Sequence, residues 1–211
     1  MTNIILTVKH QCLRDFKPMG RSQADKAESH ARIVSTAASR FRESGIEGIG
    51  VADLMKEAGL THGGFYRHFA SRDELVAEAV EMALRDGGQA VEKIRQLKYP
   101  PATVFALLVD GYLSAVHRDT LATSCAVTTL AGDVSRSNDR ARAAYTRQVD
   151  IYLEVLTGLV TAEKQKGRRA KAIAALATLV GAVSMARAVN DDKLSREILK
   201  AAADELKAQL T

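Results

Sequence analysis

Apolar residues return every three to four positions along most of this chain, and the places where that rhythm stops mark out helices. From Ser22 to Glu43, Ile33, Ala37 and Phe41 recur at four-residue spacing beside Val34 and Ala38, and Ser44-Gly45 supplies a glycine where a helix ends. Residues 51–58 predict a second, short helix with Leu54, Met55 and Ala58 inward and Gly50 at its N-cap. After a tight Gly59-Leu60 turn, Thr61 caps another short helix. Ser71 and Glu74 then form a capping box that launches a helix through Leu75, Val76, Ala79, Val80 and Ala83. Gly87-Gly88 weakens that helix, and Tyr99-Pro100-Pro101 breaks the chain.

Further helices are predicted over 102–118 (Val104, Leu107, Leu108, Gly111, Val116), 125–136 and 138–160, the last with Tyr145, Val149, Tyr152, Leu156 and Leu159 on one face. Proline at the first position starts the helix over 102–118. Past the basic, flexible "EKQKGRR" come two more, over 170–189 and 195–210, the second capped by Ser195.

Composition fits this all-α reading. Hydrophobic residues make up 46% and charged residues 26% of 211 positions, with 14 glycines, 3 prolines and no tryptophan. Cys12 and Cys125 have no disulfide-framework or zinc spacing, so an intracellular, reducing setting is expected. The opening residues lack a signal-peptide pattern, and Ala172–Ala186, the most apolar stretch, falls short of a bilayer span of ~20 residues. A soluble, cytoplasmic protein without a membrane partner follows. The net charge of +5 resides mainly beyond residue 87, since residues 19–87 carry nine basic and eleven acidic side chains. Bulk charge therefore does not announce a nucleic-acid partner.

The stretch "AGLTHGGFYRHF" (58–69) does. Its place after residues 51–58 fits a helix-turn-helix, whose second helix offers N-terminal residues to the major groove. Gly63 and Gly64 would remove bulk from the face nearest the bases, and Thr61 and His62 would present free backbone N–H groups at the helix start. Tyr66, His68 and Arg72 each carry a donor suited to phosphate, whereas Phe65 and Phe69 anchor the helix to the core.

Residues 27–87, "ARIVSTAASRFRESGIEGIGVADLMKEAGLTHGGFYRHFASRDELV" above all, resemble the DNA-binding domain of the TetR family of bacterial transcription regulators. The aromatic-rich helix ending in Tyr-x-His-Phe and the capped "SRDEL" carry the likeness; Gly50 stands where that family usually has Ser or Thr. The resemblance implies a three-helix helix-turn-helix domain over 27–87, preceded by an extension or arm (1–26) and followed by a larger helical effector-binding and dimerisation domain (88–211). It places Thr61, His62, Gly63, Gly64, Tyr66, Arg67 and His68 on the recognition helix and Arg72 on phosphate just beyond. It also implies Met19 as the biological start, a palindromic double-stranded DNA operator, repression as the commoner mode, and a small-molecule effector enclosed by residues 100–160. Tyr112, His117, Cys125, Thr128, Tyr145 and Tyr152 are the candidate lining residues.

Helices 170–189 and 195–210 read as a homodimerisation pair that would form a four-helix bundle across a two-fold axis, or else as a buried hairpin of a monomer. An enzyme is the rival class, but the chain has no phosphate loop, dinucleotide glycine fingerprint or nucleophile elbow. His62 and His68 fall on different helix faces, so no shared metal is expected, and His117 with Cys125 lacks an orienting third group. No cofactor is called for. A helix-turn-helix protein that binds DNA without an effector is the second rival.

Overall fold

The computed structural model describes residues 23–160 and 165–208, and among these there are helices but no strand. The expected arm, the start at Met19 and Cys12 lie outside the described residues. Helix α1 (Gln23–Ser44) turns Ile33, Ala37 and Phe41 inward as its periodicity predicts, and Gly45 ends it at φ 79°, a left-handed conformation suited to glycine. Helix α2 (Val51–Glu57) buries Leu54 and Met55. Gly59, at φ 73°, makes the next corner, where Leu60 N–H donates to the Met55 carbonyl at 2.8 Å. The chain then enters a 3₁₀ helix, His62–Arg67.

Helix α3 (Arg72–Arg95) begins at the predicted capping box: Ser71 Oγ accepts from Glu74 N–H at 3.2 Å. The returning Glu74 carboxylate accepts from Ala70 N–H, one residue earlier than the usual pattern. Gly87-Gly88 does not end this helix, which runs through both glycines to Arg95. Packing accounts for the first of them, because a Cβ on Gly87 would overlap the hydroxyl of Tyr152 from a facing helix. Arg42, almost wholly buried on α1, ties the same region down by donating to Asp86 Oδ2 at 3.0 and 3.1 Å and to the Ala83 carbonyl at 3.3 Å.

Pro101 opens α4 (Pro101–Tyr112) as expected, but the helix stops at Leu113 rather than continuing to 118. Ser114 interrupts it: its Oγ donates to the Gly111 carbonyl and accepts from His117 N–H, capping a separate helix α5 (Ala115–Asp119). Val116, carried on α5 rather than on a continuing α4, is exposed. The segment over 125–136 is two short helices, α6 (Ala126–Thr129) and α7 (Ala131–Val134). Asn138 caps α8 (Asp139–Leu159), accepting from Ala141 N–H at 2.9 Å.

Helices α9 (Gln165–Ala188) and α10 (Asp192–Ala208) close the chain. Ser195 is not the cap of α10. Asp191 accepts from the N–H groups of Lys193 and Leu194, while buried Ser195 donates to the Ala186 carbonyl and fastens α10 to α9. Over Gly167–Ala188, α9 is long and apolar enough by composition to cross a membrane, longer than the stretch read from sequence. Its Ala172, Ala175, Leu179, Ala182, Val183 and Ala186 are instead buried within this chain.

Two apolar clusters result. The first joins α1, α2, the 3₁₀ helix and α3 to Ala126, Val127, Leu130, Val134, Ala141 and Ala144. The second joins α4 and the C-terminal half of α8 to α9 and α10. Val149, Tyr152 and Val180 pack against both, so the clusters share a wall.

Candidate nucleic-acid interface and ligand pocket

The 3₁₀ helix is held from below by aromatic packing. Phe65 and Phe69, each 2% exposed, stack with ring centroids 5.4 Å apart, and Phe69 stacks on His30 of α1 at 4.5 Å. His30 is fixed in turn by Glu78 of α3, Nε2 to Oε2 at 2.6 Å. Helix α1, steadied by α3 through Glu78, thus grips one short helix whose own hydrogen bonding is weak.

The other side of that helix is open. Thr61, His62, Gly63 and Arg67 are exposed, and Tyr66 stands 75% exposed with its ring edge-on to Phe65. A Cβ on Gly63 would meet nothing within 4 Å, and one on Gly64 would make ordinary contacts with Met55 and Thr61. Neither glycine is required by packing within this chain. The fold leaves a smooth exposed backbone at the start of a helix, flanked by Tyr66 and Arg67.

His68 and Arg72 sit differently. His68 is half-buried, its ring 6.1 Å from His30 and 6.3 Å from Phe69. Arg72 donates to Glu47 Oε1 at 2.7 Å and to the Ile46 carbonyl at 2.6 Å, which docks the start of α3 on the turn after α1. A phosphate would have to share Arg72 with both.

Between α3, α4, α8 and α9 lies a cavity of ≈ 410 Å³. Tyr112, His117, Cys125 and Tyr152 line it, as the sequence suggested. Thr128 stands one layer back, hydrogen-bonded at 2.6 Å to the Tyr112 hydroxyl, and Tyr145 donates to the Val127 carbonyl at 2.8 Å without reaching the cavity. Most of the remaining wall is aliphatic: Val91, Ile94 and Leu97 from α3, Val104, Leu107 and Leu108 from α4, Val155 and Leu156 from α8, Leu176 and Leu179 from α9. The α3 contribution was missed from sequence because the glycine pair hid a continuing helix. Val91 and Ile94 at helical spacing beyond it were the available signal.

His117 is a brace within this wall. Its Nδ1 lies 2.6 Å from the Tyr112 carbonyl and so carries the proton, leaving Nε2 to accept from Cys125 N–H at 3.1 Å and Ser124 Oγ at 3.0 Å. Arg187 of α9 completes the knot, donating to the Arg118 and His117 carbonyls and to Ser124 Oγ. Burial, with the Arg187 charge as a smaller contribution, holds His117 below its ordinary pKa, so the imidazole is neutral. Burial likewise pushes Tyr112 and Tyr152 well above the usual phenol range and Tyr145 up to about 12. Among the described residues no cluster of His, Cys, Asp or Glu has the arrangement of a metal site.

The comparisons with known proteins agree with the helix-turn-helix geometry. The family described as bacterial regulatory proteins, tetR family, matches residues 33–79, the stretch from mid-α1 into α3. A curated relative, the uncharacterized HTH-type transcriptional regulator YfiR of Bacillus subtilis (strain 168), is 25% identical over 142 residues, 67% of this chain and 66% of the relative. Among solved structures, a TetR transcriptional regulator from Chloroflexus aurantiacus J-10-FL superposes with a TM-score of 0.74 at 24% identity, covering 88% of this chain and 95% of that one. E. coli NemR in its reduced form gives 0.73 at 17% identity, covering 87% and 97%. The helical architecture is therefore shared along nearly the whole length.

Proposed function

We propose, from the match of residues 33–79 to the tetR family of bacterial regulatory proteins, that this chain is a repressor of that family that binds a palindromic operator as a homodimer and is released by a small molecule. One observation carries the DNA half of the reading. A short helix gripped by buried Phe65 and Phe69 offers Gly63, Tyr66 and Arg67 outward and exposed, with nothing of its own chain within 4 Å of a Cβ at Gly63. Such a surface suits the major groove, with α2 crossing the backbone and Thr61, His62, Gly63 and Gly64 facing base edges. Tyr66, Arg67, His68 and Arg72 would hold phosphates and set register.

The dimer reading rests on the outer side of α9 and α10. Ile173, Ala174, Ala177 and Met185 of α9 are exposed beside Leu194 and Ala201 of α10. A helix apolar on both sides calls for two partners. One is this chain's core; the second would be the same face of another copy, with helices 170–189 and 195–210 forming a four-helix bundle across a two-fold axis.

Release would act through α3. That helix begins in the helix-turn-helix region, carries the Gly87 wall of the cavity and abuts Tyr152 there. A ligand that displaces Tyr152 would shift α3 and with it the spacing of two recognition helices. The domain division at residue 87 follows the same logic, although α3 spans it. We expect cytoplasmic action, where the operator is.

Selection of bound sequences from a random DNA pool, combined with light scattering, tests this reading. The expected result is a two-fold symmetric site with half-sites spaced by whole helical turns and a mass of two chains. A monomer that enriches no sequence would refute it.

A further inference from the structure

The cavity's polar end specifies what it takes. Among its lining residues no lysine or arginine occurs, and the acidic Asp86 is already held by Arg42. His117 and Ser124 are spent on each other and on Arg187, and the Tyr112 hydroxyl is occupied by Thr128. What remains is a set of donors. The Tyr152 hydroxyl takes a hydrogen bond from the Gln148 side chain and otherwise has only the Cys125 sulfur, at 3.5 Å, a weak partner, so its own proton is left to donate into the cavity. Gln148, 4% exposed, stands behind that hydroxyl and does not itself line the cavity. Thr123 adds a second hydroxyl to the wall, and it too can donate.

We infer that the cavity binds a neutral, predominantly apolar compound carrying a carbonyl oxygen, of the ketone, ester or quinone class, with that oxygen received by the Tyr152 hydroxyl, which Gln148 holds from behind, and its hydrocarbon body lying along Val91, Ile94, Leu108 and Leu156. The inference rests on the effector reading above and gives it a chemical class. A cation finds no free acceptor of opposite charge. An anion finds no cation and would enter an aliphatic wall, where burying an unpaired charge is strongly unfavourable. A pure hydrocarbon fills the volume but leaves the donors unmet.

Titration calorimetry of the full chain without DNA tests this on two body shapes. One series is 2-acetylnaphthalene, 2-ethylnaphthalene, 2-naphthoate and 2-naphthylmethylamine; the other is 2-undecanone, undecane, undecanoate and undecylamine. A ketone of at least one series should bind more tightly than its hydrocarbon, with its charged analogues weaker still. Tyr152→Phe should cost that ketone roughly two- to tenfold in affinity, the worth of one hydrogen bond, and leave the hydrocarbon unchanged. Tyr145→Phe, remote from the cavity, should change neither. The infrared carbonyl stretch of the bound ketone should move to lower frequency and return towards its free value in Tyr152→Phe. Absence of ketone binding in both series, equal binding of ketone and hydrocarbon, or tighter binding of a charged analogue would overturn the assignment. Because the titration contains no DNA, a failed operator selection would count against the regulator reading and not against the ligand class.

Discussion

Two adjacent glycines in the middle of one helix should respond to alanine in opposite directions. In α3 each carries the ordinary penalty of glycine in a helix interior, ~1 kcal/mol relative to alanine. At Gly88 a Cβ would stand 3.7 Å from Gln148 Oε1, an ordinary contact, so Gly88→Ala should recover most of that and stabilise by about 1 kcal/mol. At Gly87 the Cβ would approach the Tyr152 hydroxyl closer than 3.0 Å, a distance that real Cβ contacts essentially never show. The obstacle is a stiff ring wedged between the two apolar clusters. Overpacking of this kind costs about 1–3 kcal/mol, which outweighs the helical gain and leaves a net loss of roughly 1 kcal/mol. For a chain of this size that is a fall of about 2–4 °C in the unfolding midpoint. Removing the hydroxyl should reverse the sign: the Cβ would then meet Tyr152 Cζ at 3.4 Å, so Gly87→Ala in a Tyr152→Phe background should stabilise. Urea unfolding of the four variants measures the cycle. If Gly87→Ala stabilises as Gly88→Ala does in the presence of the hydroxyl, the packing explanation of the glycine is wrong.

Other outcomes follow from the same geometry. Phe65→Ala, at a residue 2% exposed, should destabilise by about 3–5 kcal/mol in urea unfolding, whereas Tyr66→Ala, next to it but 75% exposed, should change stability by less than about 0.5 kcal/mol while weakening binding to a selected operator. His68→Ala, half-buried against His30 and Phe69, should lower both stability and affinity. His117 has a lowered folded-state pKa, so the unfolded chain takes up its proton first. Its contribution is therefore complete above the ordinary value of ~6.5 and is lost as pH falls below it. The unfolding midpoint should drop between pH 7 and pH 5, less steeply in His117→Gln, and an equal slope in the variant would contradict the brace.

The inward faces were legible wherever burial depends on local periodicity. Ile33, Ala37 and Phe41, or Leu75, Val76, Ala79 and Val80, recur at helical spacing and are buried as read. Phe65 and Phe69 fall in the same class. What the sequence hid was set by residues far along the chain. Gly87 looks like a helix breaker until Tyr152 is placed against it. Ser195 looks like a cap, but Asp191 offers a better-placed carboxylate, leaving the serine to bind the Ala186 carbonyl. The break at Leu113 turns on Ser114, whose hydroxyl bonds to both sides and so begins a new helix where the apolar rhythm alone suggested continuity. Four of the six proposed ligand residues reach the cavity because their helices converge there, while the α3 and α9 walls needed the tertiary fold to appear.

The central claim is that the surface around Gly63 lies against DNA. Because a Cβ at Gly63 meets nothing within 4 Å of the chain itself, Gly63→Leu separates folding from recognition. Fluorescence anisotropy of a selected operator, read beside thermal unfolding of the same samples, is the direct measurement. The expected result is a midpoint within a few degrees of the unsubstituted protein and at least a tenfold loss of operator affinity, ~1.4 kcal/mol or more. Undiminished affinity in a folded Gly63→Leu protein would contradict it.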